Sequence, residues 1–353
     1  MSFPDEREQL QFLFKIQRLL GEGSFTASYK FALLNALADI AVEKGHDTWE
    51  PHRISLEDIA EKFIQYYWPQ SAPYPSQGGT IRIIQQNTDR QAEIIRHLSE
   101  ARARTDGSLA QIKLNKPAYR RLVKKVARVV EKMPLFKLQT LGREQVEFLY
   151  PNKIINEGIE LLPGVCFSLR QFHLIIRDLI QSAWVRFIHR VRANQDILGQ
   201  VKDLAEFLFG SERTVLSAFS RILVEQQKGE CFYCQRPLKN SLAIDHFIPW
   251  SRYPVDLGHN FVLAHQTCNS AKSDNLASIK HLGRWWDRNE SFGEELGTLF
   301  DLRNLIHNID ATREIGRWAY GMAENSGAQV WVSRNQYEKL SPDWKTITGI
   351  TSS

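Results

Sequence analysis

The chain has 353 residues, 43% of them hydrophobic and 24% charged, with a formal net charge of +5. That composition is ordinary for two or three globular domains, and no apolar run approaches the ~20 residues a membrane span needs. The start, MSFPDEREQLQFLFKIQRLL, lacks the basic front and solid apolar block of a secretory signal, and four cysteines are too few for a disulfide framework. A cytoplasmic setting is expected, and the mild basic excess permits a polyanionic partner without requiring one.

The first seventy residues read as helical. In SFTASYKFALLNALADIAVEKG, Ser24 or Thr26 serves as N-cap, Phe31, Leu34, Leu37, Ile40 and Ala41 recur at helical spacing, and Gly45 ends the run. ISLEDIAEKFIQYYW follows as a second helix opened by Ser55, with acidic residues in its first turn. PQSAPYPSQGG at 69–79 breaks the pattern. GEGSF lacks the Lys-Ser/Thr ending of a phosphate loop and reads as a turn at a helix start.

Residues 80–106 are polar and helical in pattern. Residues 113–132, KLNKPAYRRLVKKVARVVEK, then form an amphipathic helix with one strongly basic face. Arg120, Arg121, Lys124, Lys125 and Arg128 lie on that face, and Leu122, Val126, Val129, Val130 and Met133 on the other. Such a face is either simply solvated or a surface for nucleic-acid phosphates. LFKLQTL and EQVEFLY suggest a hairpin, Cys166 a small core residue, and 168–193 one long helix. The pair Trp285 and Trp286 reads as core packing more readily than as a base-stacking platform. SPDWKTITGITSS reads as a loosely held tail.

Three of the four cysteines fall within residues 231–268. Cys231 and Cys234 form a C-x-x-C knuckle, and His265 and Cys268 an H-x-x-C knuckle. A two-residue gap lets both side chains of a pair bend toward one ion, so the four residues are expected to hold a structural Zn²⁺. A thioredoxin-type redox pair would leave the second knuckle unexplained. Between the knuckles, the apolar run LAI delivers Asp245 and His246, and Asn260 and Asn269 follow. Histidine exchanges protons near neutral pH and suits a general base, whereas Asp and Asn offer oxygen to a hard cation.

In order and spacing, Cys231/Cys234, DHFIP, HNFVLA and HQTCNSAK resemble the HNH or ββα-metal nuclease family over about 45 residues, with His265 where a cysteine is usual. The resemblance implies a mainly α (α+β) protein, with helical N-terminal and C-terminal regions around a zinc-stabilised ββα-metal nuclease domain. The regions expected are 1–75 (helical), 76–200 (mixed, with the basic helix), 201–290 (the HNH domain) and 291–353 (helical). It implies a metal-dependent endonuclease acting on DNA and nicking one strand per site. His246, Asn260 and Asn269 are the catalytic residues, with His246 as base and Asn260 tying the intervening loop. Asp245 and Asn269 hold a catalytic divalent ion, Mg²⁺ or another such as Mn²⁺ or Ni²⁺. Lys272 is assigned to nucleic-acid contact or support of the site.

GSFTASYKFALLNALADIAVE and YYWPQSAPYP are similar to the leading region of bacterial HNH nucleases of anti-phage defence, type II Zorya effectors among them. That similarity implies other proteins of a defence system as partners. Two alternatives stay open at this stage. One is a non-catalytic zinc module that binds nucleic acid, which would need neither Asp245, His246 nor Asn269. The other is an RNA-cleaving nuclease or toxin using the same residues.

Overall fold

The structure, a computed structural model, describes residues 6–23, 25–74, 82–198, 201–210, 213–238 and 242–350. The chain is mostly helical with short strands and divides into two compact units, residues 1–210 and 211–353.

The first unit contains α1 (Glu6–Glu22), α2 (Tyr29–Lys44), β1 (His52–Ser55), α3 (Leu56–Gln70), α4 (Glu93–Arg102), α5 (Leu109–Leu114) and α6 (Lys116–Lys132). It continues through β2 (Thr140–Leu141), β3 (Glu144–Gln145), β4 (Gly158–Leu161), α7 (Val165–Gln171), α8 (His173–Arg190) and α9 (Val201–Phe209). Its centre is α2, buried from Tyr29 to Glu43, which explains why its apolar residues occur on every side. Of the two expected caps, Ser24 lies outside the described residues and Thr26 precedes the helix; Ser28 occupies the N-cap position. Ser28 does not cap with its side chain, because its hydroxyl is hydrogen-bonded to the buried Tyr67 hydroxyl at 2.7 Å. Ser55 caps α3 as its sequence suggests, accepting from the Asp58 amide at 3.0 Å.

Residues from both 1–75 and 76–200 contribute to one continuous hydrophobic core. β1 pairs antiparallel with β4, and β2 with β3 as a two-residue ladder inside the expected hairpin. The single helix expected over 168–193 is instead two, interrupted at Phe172. The interruption opens α8 with His173, whose Nε2 lies 2.7 Å from the buried Asp39 carboxylate. Met133, expected on the apolar face of the basic helix, is exposed, and Val123 is buried there.

The second unit contains α10 (Ser220–Gln226), β5 (Leu242–His246), β6 (Phe261–His265), α11 (Gln266–Lys272), α12 (Ile279–Asp301), α13 (Ile309–Asn325), β7 (Gln329–Ser333), β8 (Gln336–Lys339) and α14 (Trp344–Ile347). β5, β6 and α11 form a ββα unit. Its back packs on a cluster of Phe219, Ile222, Leu223, Phe261, Leu263, Leu296 and Phe300. Trp285 and Trp286 are core residues, Trp285 stacking on Phe247 with ring centroids 4.7 Å apart. The expected loose tail is held as far as Ile350, because Trp344 and Thr348 are buried and Arg317 donates to the Thr348 carbonyl.

Candidate active site

β5 and β6 are antiparallel, with Asp245 opposite Val262 and His246 opposite Phe261. Side chains alternate across a strand, so Asp245 and His246 leave β5 on opposite faces. Just beyond, the chain passes through buried Phe247 and Ile248 and must turn. Asn260 holds that turn. Its Oδ1 accepts from the Ile248 amide at 2.8 Å, its Nδ2 donates to the Ile248 carbonyl at 3.0 Å, and its own carbonyl accepts from the Phe247 amide. Both ends of the amide are spent on backbone, so Asn260 positions the strand end and does not itself face a substrate.

The segment carrying Asn260 is pinned from behind by α12. Trp285, Arg288 and Asn289 all donate to the His259 carbonyl. Gly258 is required here, since a Cβ would stand 2.7 Å from the Phe300 ring.

His246 is half-buried, with its ring edge-on to Phe261 at 4.8 Å and to Trp250 at 5.4 Å. Its Nε2 lies 2.7 Å from Asp256 Oδ1. A carboxylate accepts, so Nε2 carries the proton and Nδ1 is left as a lone-pair acceptor. Sequence reasoning missed Asp256. It sits in the loop YPVDLGHN, ten residues from His246, with no motif to mark it.

Asp245 is 8% exposed. Its Oδ2 accepts from the Tyr233 hydroxyl and from Lys272 Nζ at 3.1 Å. Tyr233 stands between the two cysteines of the first knuckle, which gave no hint of this second task. Burial, followed by the Asp245 charge, pushes the Tyr233 phenol well above its ordinary value, so it remains a donor. Lys272 is fully buried and also donates to the His246 carbonyl at 3.0 Å. Burial lowers the Lys272 pKa, against the opposing pull of Asp245. The expectation that Lys272 contacts nucleic acid is therefore corrected: its ammonium points inward and ties α11 to the end of β5. Asn269 lies three residues earlier on α11, on the same helical face. Among the described residues, neither the Asn269 amide nor the second Asp245 oxygen has a protein partner. Carboxylate and amide oxygens are the donor types that hard divalent cations take.

Cys231, Cys234, His265 and Cys268 bring their ligand atoms within 4.8 Å of one another. The imidazole is preset for this: Nε2 faces the Pro237 carbonyl at 3.2 Å, leaving Nδ1, 3.3 Å from Cys234 Sγ, without a proton. Burial and the neighbouring thiolates push the Cys268 thiol up to about 12. Three sulfurs this close ionise together only around a cation, so the donor set fits tetrahedral Zn²⁺.

This arrangement, a ββα unit with a Cys3His cluster at its base and an Asp-His pair at the end of the first strand, is that of an HNH endonuclease domain. The HNH endonuclease family model matches residues 231–275. Over residues 8–208, more than half of its length, the sequence matches the model described as Domain of unknown function (DUF8808), and the chain belongs to that family. No curated protein and no solved structure matches. No helix among the described residues is long and apolar enough to cross a membrane.

Proposed function

We propose that this chain is a metal-dependent endonuclease that hydrolyses DNA phosphodiester bonds, nicking one strand per site. The observation that carries the reading is His246, anchored through Nε2 on Asp256 and directly beside Asp245 on β5.

Hydrolysis requires a water to lose its proton as it attacks phosphorus, and the leaving oxygen to gain compensation for its charge. His246 Nδ1 takes the proton from the attacking water. Asp256 holds the ring in the tautomer that leaves Nδ1 free, and its negative charge offsets the imidazolium that forms. Asp245 and Asn269 would hold a divalent ion, which when bound supplies positive charge to the phosphoryl and leaving oxygens. Lys272 and Tyr233 hold one oxygen of the Asp245 carboxylate and leave the second available to the ion. Asn260 keeps the end of β5 in place. Cys231, Cys234, His265 and Cys268 would hold Zn²⁺ as a scaffold and take no part in the proton transfer.

The resemblance of the leading region to defence nucleases supports a cytoplasmic role in anti-phage defence. The sequence carries no phosphate-loop motif, so an ATP-driven step would be supplied by another protein of such a system.

Supercoiled plasmid incubated with Mg²⁺ tests the reading, with the His246→Ala protein and a structured RNA run alongside. Open circles formed by the wild type alone are expected. Linear product would indicate paired sites, and preferential loss of RNA would replace DNA as substrate. Equal cutting by both proteins would remove His246 as base.

A further inference from the structure

We infer that the exposed face of α6, in the DUF8808 unit, is a docking surface for the phosphate backbone of duplex DNA. The inference takes from the nuclease reading only the class of partner, and concerns binding, not cleavage.

α6 runs from Lys116 to Lys132, so its axis is about 24 Å long. Lys116, Arg120, Arg121, Lys124, Lys125, Arg128 and Lys132 are all exposed. At about 100° per residue they fall within an arc of roughly 180°. Leu122, Val123, Val126, Val129 and Val130 occupy the opposite side and are buried against the rest of the unit. The helix is thus held rigidly by one face while the other presents cations.

Neighbouring carboxylates can neutralise such a face. Among the described residues, none of the seven cations takes part in an ion pair, although α6 itself carries the exposed acid Glu131. Exposed cations elsewhere in the unit are more scattered: Arg18 pairs with Glu22 and Lys44 with Asp58, while others, such as Lys15 and Arg96, take part in no ion pair among the described residues. The α6 face is therefore a concentrated, uncompensated positive strip.

Its dimensions suit duplex DNA. Lys116, Arg120, Lys124, Arg128 and Lys132 follow one another every fourth residue, about 6 Å apart along the axis. Duplex DNA carries a charge about every 3.4 Å of axis on each strand, so a 24 Å strip faces about seven phosphates of one strand. Long, flexible lysine and arginine side chains reach phosphate without demanding a base sequence. An acidic protein would also be attracted, but the nuclease domain on the same chain favours nucleic acid.

The test measures binding of the full-length protein to a 30-base-pair duplex by fluorescence anisotropy, in EDTA without added divalent ion, across a KCl series. Each phosphate-contacting cation removed lowers the salt slope by about one unit. Arg120→Gln/Lys124→Gln/Arg128→Gln is expected to lower the slope by two to three units and weaken binding at least tenfold, irrespective of DNA sequence. All three side chains are solvent-exposed; should that variant fold poorly, Lys116→Gln/Lys125→Gln is measured in its place, with a fall of one to two units expected. A slope and affinity equal to wild type in a folded variant would overturn the inference and leave α6 as a solvated face or a protein-binding one. Plasmid cleavage separates the two readings. Binding lost with α6 in a protein that never cuts would overturn the nuclease reading alone, whereas His246-dependent cutting with an unchanged slope would overturn this inference alone.

Discussion

His246 Nε2 lies 2.7 Å from Asp256 Oδ1, a contact made across ten residues of loop rather than along a strand or helix. The pairing selects one imidazole tautomer and holds the ring against Phe261. Replacing His246 with Ala is expected to lower kcat by about 10²–10⁴, the usual contribution of a general base. Asp256→Asn should lower kcat by roughly 10- to 100-fold while leaving KM for DNA unchanged, and Asp256→Glu should restore part of the loss. A change in KM alone would make Asp256 a binding or folding residue.

Asp245, Tyr233 and Lys272 form a buried group in which each polar atom depends on the others. Lys272→Met leaves the carboxylate unpaired and is expected to destabilise the second unit by about 3–5 kcal/mol. Adding Asp245→Asn should recover part of that stability while abolishing cleavage. Tyr233→Phe removes only a hydrogen bond to a charged group, worth about 1.5–3 kcal/mol, and should raise the Mg²⁺ concentration needed for half-maximal cutting. Urea denaturation and a metal titration of the cleavage rate read both effects.

The Cys3His cluster predicts one Zn²⁺ per chain, countable by elemental analysis of the purified protein. Cys268→Ser should abolish that stoichiometry. A loss of about 3–5 kcal/mol would lower Tm by ~10 °C in a domain of this size. Added Mg²⁺ should not restore the lost stability, because thiolates and imidazole do not suit that ion.

Acid should weaken the second unit through two buried histidines. Burial pushes both His259 and His281 down to about 4. His281 is held neutral by its burial and by Arg284, which donates to Nδ1, against the opposing pull of the Val332 carbonyl on Nε2. Their folded values lie below the unfolded value near 6.5, so the unfolded chain binds more protons between the two. Stability is therefore intact above about pH 6.5 and is lost as pH falls toward 4, by up to roughly 3 kcal/mol for each histidine. His281→Gln keeps a donor and an acceptor and should flatten the fall in Tm between pH 6.5 and 4. An unchanged pH profile would assign the acid sensitivity to other groups.

Much of the candidate site was legible because its chemistry is local. A two-residue gap brings a ligand pair together whatever the surrounding fold, so Cys231, Cys234, His265 and Cys268 group from their spacing alone. The tie made by Asn260 was foreseen, but not its target, the backbone of Ile248. Asp256 and Tyr233 were invisible as partners: an aspartate in a loop and a tyrosine in a knuckle have no periodicity that names what they touch. For Lys272 the sequence left nucleic-acid contact and support of the site both open, because a lysine one turn beyond a metal knuckle is ordinarily solvated; its contacts with Asp245 and the His246 carbonyl are those of support.

In the first unit, patterning marked the surface helix α6 correctly, since a half-exposed helix writes its burial into its period. The same reasoning could not resolve the break at Phe172 or the Ser28–Tyr67 contact, which depend on which helices become neighbours. By itself the sequence determined the helical character, the ligand knuckles and the Asp-His pair, all set by backbone geometry over a few residues. Only the tertiary structure decided which carboxylate holds His246, and that Lys272 faces inward to Asp245. Those contacts join segments far apart in the chain, and burial, rather than spacing, selects their partners.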